Sequence, residues 1–476
     1  MKFTIVSHAC MYVEHEGTTV LIDPWIVGSC YWRSWWNFPE PDPQLVQSLR
    51  PHYIYLSHMH WDHFHGPSLR RFSRDTKILI PKTISRRFVD DLRWNGFFDI
   101  TEIPHGGSVE LASGLELSSF QFGHPSDSAV VISDGTTTLL DVNDAKFFGA
   151  PLAQIQRRYP SIDFVFKSHS SATAIPYCIE GYEGRFAEVL SREDYIEEFA
   201  AFGLHVKARY AIPFASNHCF LHRDTIRFNA TAVNPEDVQQ YYDRCASELG
   251  MASRCIVMPP GSSWDDRDGF RIRPFNYAMR EEYITELTAK YRDKLEDQYA
   301  REAAAVADYT VFENYFKHFM AGLPRSFARR IGCRIVFRTR DPQGTHCFVL
   351  DFTTGQVALG DTTPDDIVID TPALILNDLA AKQMFSAWTP SKRMTIHLPT
   401  DSLRPLVLFM MFLDYFETGY LPLRSLLSRR VLEVSTRRHR ELRAASEAAL
   451  RYLYARHLAR VPLKPKMFFD KPPPSA

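Results

Sequence analysis

The chain has 476 residues, more than one compact core accommodates, so two or three domains are expected. A hydrophobic share of 45% beside 23% charged residues fits a folded globular protein and excludes a disordered one. The formal net charge of -1 gives no global basic field for nucleic acid or an anionic membrane.

Met1-Lys2 leads straight into the strand-like run Phe3–Val6, so no signal peptide is read at the start. Further short β-rich runs follow at Met11–Glu14, Thr18–Ile22, Tyr53–Leu56, Lys77–Ile80, Leu115–Phe122, Ala129–Ile132, Thr136–Leu140 and Asp163–Phe166. Ser133-Asp134-Gly135 is a hairpin turn. Helical stretches intervene at Ser85–Trp94 and Pro151–Arg158, which argues for an α/β layered domain. Ser191–Gly203 reads as a helix and Arg209–Phe214 as a strand. The run from Pro259 to Asp266 reads as an exposed loop at a domain edge, which bounds the first domain at residues 1–270.

Mixed charges at helical spacing over Tyr277–Asp308 predict a solvated helical connector, placed at 271–310. Residues 311–435 predict a smaller α+β unit, with strands at Arg334–Arg338, Cys347–Phe352 and Val357–Leu359 and helices at Thr371–Ala380 and Leu403–Phe416. Its apolar run Leu406–Leu413 is far too short to span a membrane. Residues 436–476 form a basic helix and a Pro-rich tail, Lys471-Pro472-Pro473-Pro474, that is expected to be disordered. Arg429, Arg430, Arg437, Arg438 and Arg440 are read as a solvated helix face. The eight cysteines form no CxxC pair and read as free thiols of a reducing, cytoplasmic setting.

The chemistry is concentrated where the run Tyr53–Leu56 ends, in Ser57-His58-Met59-His60-Trp61-Asp62-His63. Imidazoles and carboxylates are the ligands of borderline divalent metals. His58 and His60 point the same way because alternate residues share a face. Asp62 and His63 lie one turn on and reach a second ion. A histidine-rich surface loop is a poor alternative, since three of the 18 histidines fall in the HxHxDH spacing at a strand end. Further ligands are read at strand ends: His124, then Asp144 as the bridging carboxylate with Asp141 as runner-up. For the seventh ligand the order is His218, His222, His169. Of those not used as ligands, His222 is assigned to catalysis with Asp62, and His169 to the substrate. Trp35 and Trp36, within the aromatic cluster that starts at Tyr31, are assigned to the substrate wall. His8 is read as a core histidine and His65 as a bystander.

The HxHxDH loop, His124, Asp144 and the segment Gly17–Trp25 resemble the metallo-β-lactamase superfamily. Asp23-Pro24-Trp25, Trp35-Trp36, Ser57-His58-Met59-His60, His124-Pro125 and Ile212-Pro213-Phe214-Ala215 look most like the catalytic portion of the CMP-N-acetylneuraminate hydroxylase family. The resemblance covers about residues 3 to 225 and implies an αββα metallo-β-lactamase sandwich, followed by a smaller α+β domain with a faint sterol-carrier-like look. It also implies two divalent metal ions, with iron preferred and zinc or manganese as alternatives. Two departures stand out. Cys219-Phe220-Leu221-His222 has no CxH partner, so no Rieske site is read and electrons come from an external donor. Pro213 stands about where hydrolases of the superfamily carry their last histidine. The expected function is therefore a non-haem dinuclear-iron oxygenase, a hydroxylase or N-oxygenase, acting on a small-molecule biosynthetic intermediate with O2. The alternative is a hydrolase of lactones, esters or phosphodiesters through a metal-activated water. No nucleic acid or membrane span is expected, and a homodimer is allowed.

Overall fold

The protein is described by a computed structural model that covers residues 1–112, 114–123, 127–186, 189–459 and 463–469. Two sheets face each other. One runs in the order Gly269–Arg271, Ser263–Asp265, Lys2–Ile5, Met11–His15, Thr18–Ile22, Tyr53–Tyr55, Lys77–Pro81, Ile100–Ile103. The other runs Arg254–Cys255, Tyr210–Phe214, Phe164–Ser168, Thr138–Asn143, Asp127–Ser133, Leu115–Phe122, Gly107–Ala112.

Alternation along each strand builds the layers. In Thr18–Ile22, Val20 and Ile22 enter the core between the sheets with Leu117, Val130 and Phe166, while Leu21 turns outward to meet Val46, Leu69 and Phe88 of the outer helices. In Thr138–Asn143, Leu139 faces the inner core and Leu140 faces Leu152, Phe199 and Tyr242 on the far side. Helices thus cover both sheets, giving the αββα sandwich. Thr18–Ile22, Tyr53–Tyr55, Lys77–Pro81 and Ile100–Ile103 are parallel, as are Thr138–Asn143, Phe164–Ser168 and Tyr210–Phe214. Parallel strands end at one edge, and the loops that leave them there are where a site is expected.

The run from Pro259 to Asp266 is not an exposed loop. Ser263–Asp265 pairs antiparallel with Lys2–Thr4 as part of the first sheet, and Pro259, Pro260 and Ser262 are buried. The connector is two helices, Arg280–Lys290 and Arg292–Ala304, packed on Trp36, Phe38 and Leu221.

The C-terminal unit holds a five-stranded sheet in the order Gln356–Leu359, Gly344–Asp351, Arg334–Asp341, Ile367–Asp370, Thr395–His397. Two of these strands, Ile367–Asp370 and Thr395–His397, are additional to those read from the sequence. Helices Tyr309–Gly322, Ala373–Lys382 and Arg404–Glu417 accompany the sheet. Its core is continuous with Trp25, Tyr31, Trp32 and Trp35 of the first domain, so an aromatic seam joins the two. Helices Arg429–Arg437 and Arg440–Leu453 then return toward the first domain. Arg429 and Arg437 are exposed, as a solvated face requires. Arg430 instead forks Glu102 and reaches the Thr83 carbonyl at 2.8 Å, and buried Arg438 reaches the Gly123 carbonyl at 2.9 Å. No described helix is long and apolar enough to cross a membrane. The Pro-rich end lies outside the described residues.

Candidate metal centre

The strand Tyr53–Tyr55 runs beside Thr18–Ile22, and the loops beyond them interlock. Asp23 is fully buried at φ 43 and clamps the ligand loop from below. It accepts the Ser57 amide at 2.7 Å, the Ser57 hydroxyl at 2.5 Å and the His63 Nδ1 at 2.7 Å. A carboxylate on one ring nitrogen fixes the tautomer and aims the other nitrogen. That other nitrogen, His63 Nε2, is buried and has no hydrogen-bond partner. It lies 3.3 Å from Asp62 Oδ2 and 3.4 Å from Asp144 Oδ2. A buried imidazole nitrogen held from behind and converging with two carboxylates is what a metal ligand requires.

Three sets of ligand-capable atoms, each within 4.8 Å of one another, adjoin here: His58, His63 and Asp144; His58, His60 and Asp127; His8, Asp62 and His63. His58 Nε2 and His60 Nδ1 are 2.8 Å apart. Asp62 is held by Tyr31, whose hydroxyl donates to Oδ1 at 2.5 Å, and by His8 Nε2 at 3.1 Å from Oδ2.

The charges follow from burial and crowding. Burial, then the neighbouring His63, pushes His58 down to about 4, and burial with His58 lowers His60. Burial alone would lower His63, but Asp62, Asp23 and Asp144 outweigh it and hold the ring well above its ordinary value. Burial opposes ionisation of Asp62, and His63 and His8 overcome it, keeping that carboxyl well below its usual range. Asp127, half-buried, is raised to about 6 by partial desolvation and by nearby Asp144. His58 and His60 are thus neutral beside the ionised Asp62 and Asp144, while His63 holds a proton that a bound cation would have to displace.

The structure therefore brings His58, His60, Asp62, His63 and Asp144 together. Asp141 is buried with one oxygen unpartnered but joins none of these sets, and Asp144 takes the converging position. His124 lies outside the described residues. His218 joins none of the sets among the described residues. It sits in the short strand His218–Phe220, paired with Trp35–Asn37, and its ring stacks on Trp35 at 3.6 Å with 3° between planes. Its ring centroid lies 5.5 Å from that of His8, and its Nδ1 is buried without a hydrogen-bond partner in the protein. His222 is placed with Asp224, Glu302 and Arg393, apart from the HxHxDH loop, which gives the assigned catalytic role no contact with the centre. His169 is buried, with its amide on the Ser216 hydroxyl, and burial lowers the ring to about 3. Trp35 lies beside His8 and Tyr31, but Trp36 faces the other way and stacks on Tyr291 at 4.2 Å. Successive strand residues point to opposite faces, so only one of the two tryptophans can wall the site.

Sequence reasoning missed His8 and Asp127 as candidate ligands. His8 follows the end of the strand Lys2–Ile5 and is as buried as a core residue, so its position alone did not separate the roles. His65 donates to or accepts from Ser68 at 2.7 Å and takes no part. Beside His58 and His60 a cavity of about 60 Å³ is walled by Met59 and Phe88 from the first domain and Met384 and Glu417 from the second.

A family model described as "Beta-lactamase superfamily domain" matches residues 2–147. A putative Rieske 2Fe-2S iron-sulfur protein of Mycolicibacterium smegmatis is 27% identical over 251 residues, 50% of this chain and 48% of that protein. The cytidine monophosphate-N-acetylneuraminic acid hydroxylase of Xenopus laevis is 36% identical over 151 residues, 30% of this chain and 26% of the hydroxylase. Among solved structures, the isothiocyanate hydrolase from Delia radicum gut bacteria aligns with a TM-score of 0.41 at 14% identity, over 56% of this chain and 99% of the hydrolase. The chain spans about half the length, or less, of the curated relatives it matches. Two facing sheets under helices, together with the domain matched over residues 2–147, give this chain a metallo-β-lactamase fold with an additional C-terminal unit.

Proposed function

We propose that the protein is a dinuclear metalloenzyme, and that it is a non-haem di-iron oxygenase acting on a small-molecule biosynthetic intermediate. The observation that carries this reading is the sharing of ligands between adjacent sets, with His58 in two of them and His63 in two. His58, His60 and Asp127 would hold one ion, and His63, Asp62 and His8 the other, with Asp144 between them. His124 stays in the proposed set on its sequence position. Iron held there would supply the redox chemistry that activates O2. The all-nitrogen and oxygen donor set, with no thiolate, suits iron, zinc or manganese alike. Similarity to a hydroxylase and to proteins named for a Rieske cluster supports iron and an external electron donor.

The chain's own residues have separable tasks. Asp23 fixes the His63 ring. Tyr31 donates to Asp62, so its carboxylate meets the centre in one orientation. Met59, Phe88 and Met384 give the small cavity an apolar wall, and Glu417 sets a polar group at its C-terminal side.

Hydrolysis is the second reading, supported by the superfamily domain that carries the HxHxDH loop. In it Asp62 would double as proton acceptor. The test is metal analysis of anaerobically purified protein, with optical and Mössbauer spectra before and after O2. Two irons per chain and O2 uptake with a reductant are expected. Two zincs, no O2 uptake and turnover of an ester or lactone would replace the oxygenase with the hydrolase.

A further inference from the structure

A second cleft, of about 630 Å³, opens where the C-terminal sheet meets the turn at 222–227 and the end of the helix Arg292–Ala304. This volume is in the range of small-molecule sites. Arg223, Arg227, Arg338, Arg340, Lys392 and Arg393 line it, against the carboxylates Asp224, Glu302 and Asp370. Those carboxylates are already engaged. Arg338 forks Asp370 at 2.5 and 2.7 Å, and Arg393 reaches Glu302 at 2.6 Å and Asp224 at 3.0 Å. Arg227 and Arg340 have no carboxylate partner among the described residues, and Arg223 approaches Asp224 only to 3.9 Å. The cleft therefore keeps a positive surplus after its internal pairs are formed.

A separate observation gives the cleft its chemistry. Thr339 Oγ1, Thr371 Oγ1 and Arg393 Nε are buried and find no hydrogen-bond partner in the protein, and all three residues line this cleft. Lys392 Nζ, by contrast, packs against the rings of Tyr177, Phe220 and Phe228. The exposures of the three residues are only 1–3%. Buried polar groups are nearly always partnered, so three such atoms lining one cleft point to a ligand. All three can donate, and hydroxyls with a guanidinium are donors for anions. A metal does not fit here. His222, Asp224 and Glu302 have ligand spacing, but the Arg393 guanidinium already sits on both carboxylates.

We propose that this cleft binds a phosphate-bearing small molecule, held by Arg227 and Arg340 at the mouth and by Thr339, Thr371 and Arg393 inside. Forked guanidinium donors match phosphate oxygens, and the surplus charge favours a group carrying more than one negative charge. The site is independent of the metal centre and stands whether that centre is an oxygenase or a hydrolase.

The test is calorimetric titration of the full-length protein with inorganic pyrophosphate and with ATP, citrate serving as a carboxylate of similar charge. Three proteins are compared: the wild type, the double variant Arg227→Gln/Arg340→Gln and the single variant Thr371→Val. Saturable binding of a phosphate probe to the wild type is expected, weakening as salt rises. The double variant should bind about tenfold or more weakly, since each lost contact is a charged hydrogen bond. Both arginines are exposed, so melting temperature and metal content should not change. Thr371→Val keeps the shape and removes an unpartnered hydroxyl, so it should bind more weakly while melting no lower. Phosphate bound at the metal centre would survive the double variant undiminished, and that result overturns the assignment. So does the absence of saturable binding at millimolar probe, or citrate binding as tightly as pyrophosphate.

Discussion

Asp23→Asn tests the metal centre without touching a ligand. Asparagine tolerates the left-handed backbone at φ 43, so the substitution alters the acceptor and the charge and leaves the turn unstrained. The carboxylate now receives three donors, two of them, from Ser57 and His63, on Oδ2. An amide offers one oxygen. If that oxygen takes the Oδ2 position, the NH2 group meets the Ser57 amide donor to donor; if it is reversed, two donors are opposed. Hydrogen bonds to a charged group contribute about 1.5–3 kcal/mol, and a buried donor left unmet costs about 1–3 kcal/mol. Relief of the repulsion that Asp23 exerts on buried Asp141 offsets part of this. The expected net loss is about 2–4 kcal/mol in metal-free protein. With His63 no longer aimed, metal affinity should fall about 10–100-fold, the usual effect of removing such a support. Urea denaturation in chelator reads the first quantity, and competitive chelator titration with elemental analysis reads the second. A variant that holds two ions at wild-type affinity with an unshifted urea midpoint would refute the role given to Asp23.

Glu302→Gln leaves the Arg393 side chain, which is fully buried, with Asp224 as its only charged partner, and should destabilise the fold by about 3 kcal/mol in urea denaturation. Glu198 responds to acid. Burial opposes its ionisation, but Lys146 and Lys167 lower it from the ordinary 4.5 to about 2, so its stabilisation is full above pH 4.5 and is lost as pH falls toward 2. That component amounts to about 3 kcal/mol, and it should vanish from urea midpoints measured across this window in Glu198→Gln. Arg430→Ala removes the fork on Glu102 and the contacts to Thr83 and Ser85, so limited proteolysis should cut faster around residues 428–440 while the melting temperature of the main transition barely moves.

The HxHxDH loop was legible because its ligands are neighbours in the chain and the preceding strand is an unmistakable apolar run. His8 and Asp127 were not, because sheet order rather than sequence spacing delivers them. Lys2–Ile5 lies two strands from Thr18–Ile22, and only the pairing through Met11–His15 puts its end at the same edge. His218 illustrates the converse. The strand before it was read correctly, yet the three-residue strand His218–Phe220 pairs with Trp35–Asn37, and that register lays the imidazole on an indole. Trp35 and Trp36 could not be separated until the inner face of their strand was known. In the C-terminal unit, Ile367–Asp370 is only four residues long, too short to show an alternation before Thr371-Pro372 opens the helix that follows.

The segment from Tyr31 to Trp36 ties the first domain to the C-terminal unit. Tyr31, Trp32 and Arg33 all adopt left-handed backbone at φ 53, 53 and 60. None is glycine, and such residues cost about 1–3 kcal/mol each. The conformation persists because each side chain or carbonyl is held by a different element. Tyr31 donates to Asp62 at the metal centre, Trp32 donates to Asp378 of the C-terminal unit at 2.9 Å, and the Trp32 carbonyl accepts from Arg393 at 3.2 Å. Ser34 donates to the Ser391 carbonyl at 2.7 Å, and Trp35 backs His218 and His8. These contacts brace the turn that carries Tyr31 to Asp62. The proposed metal centre would thus draw its ligands from the first domain and be braced by the C-terminal unit, which also walls the neighbouring cavity with Met384 and Glu417.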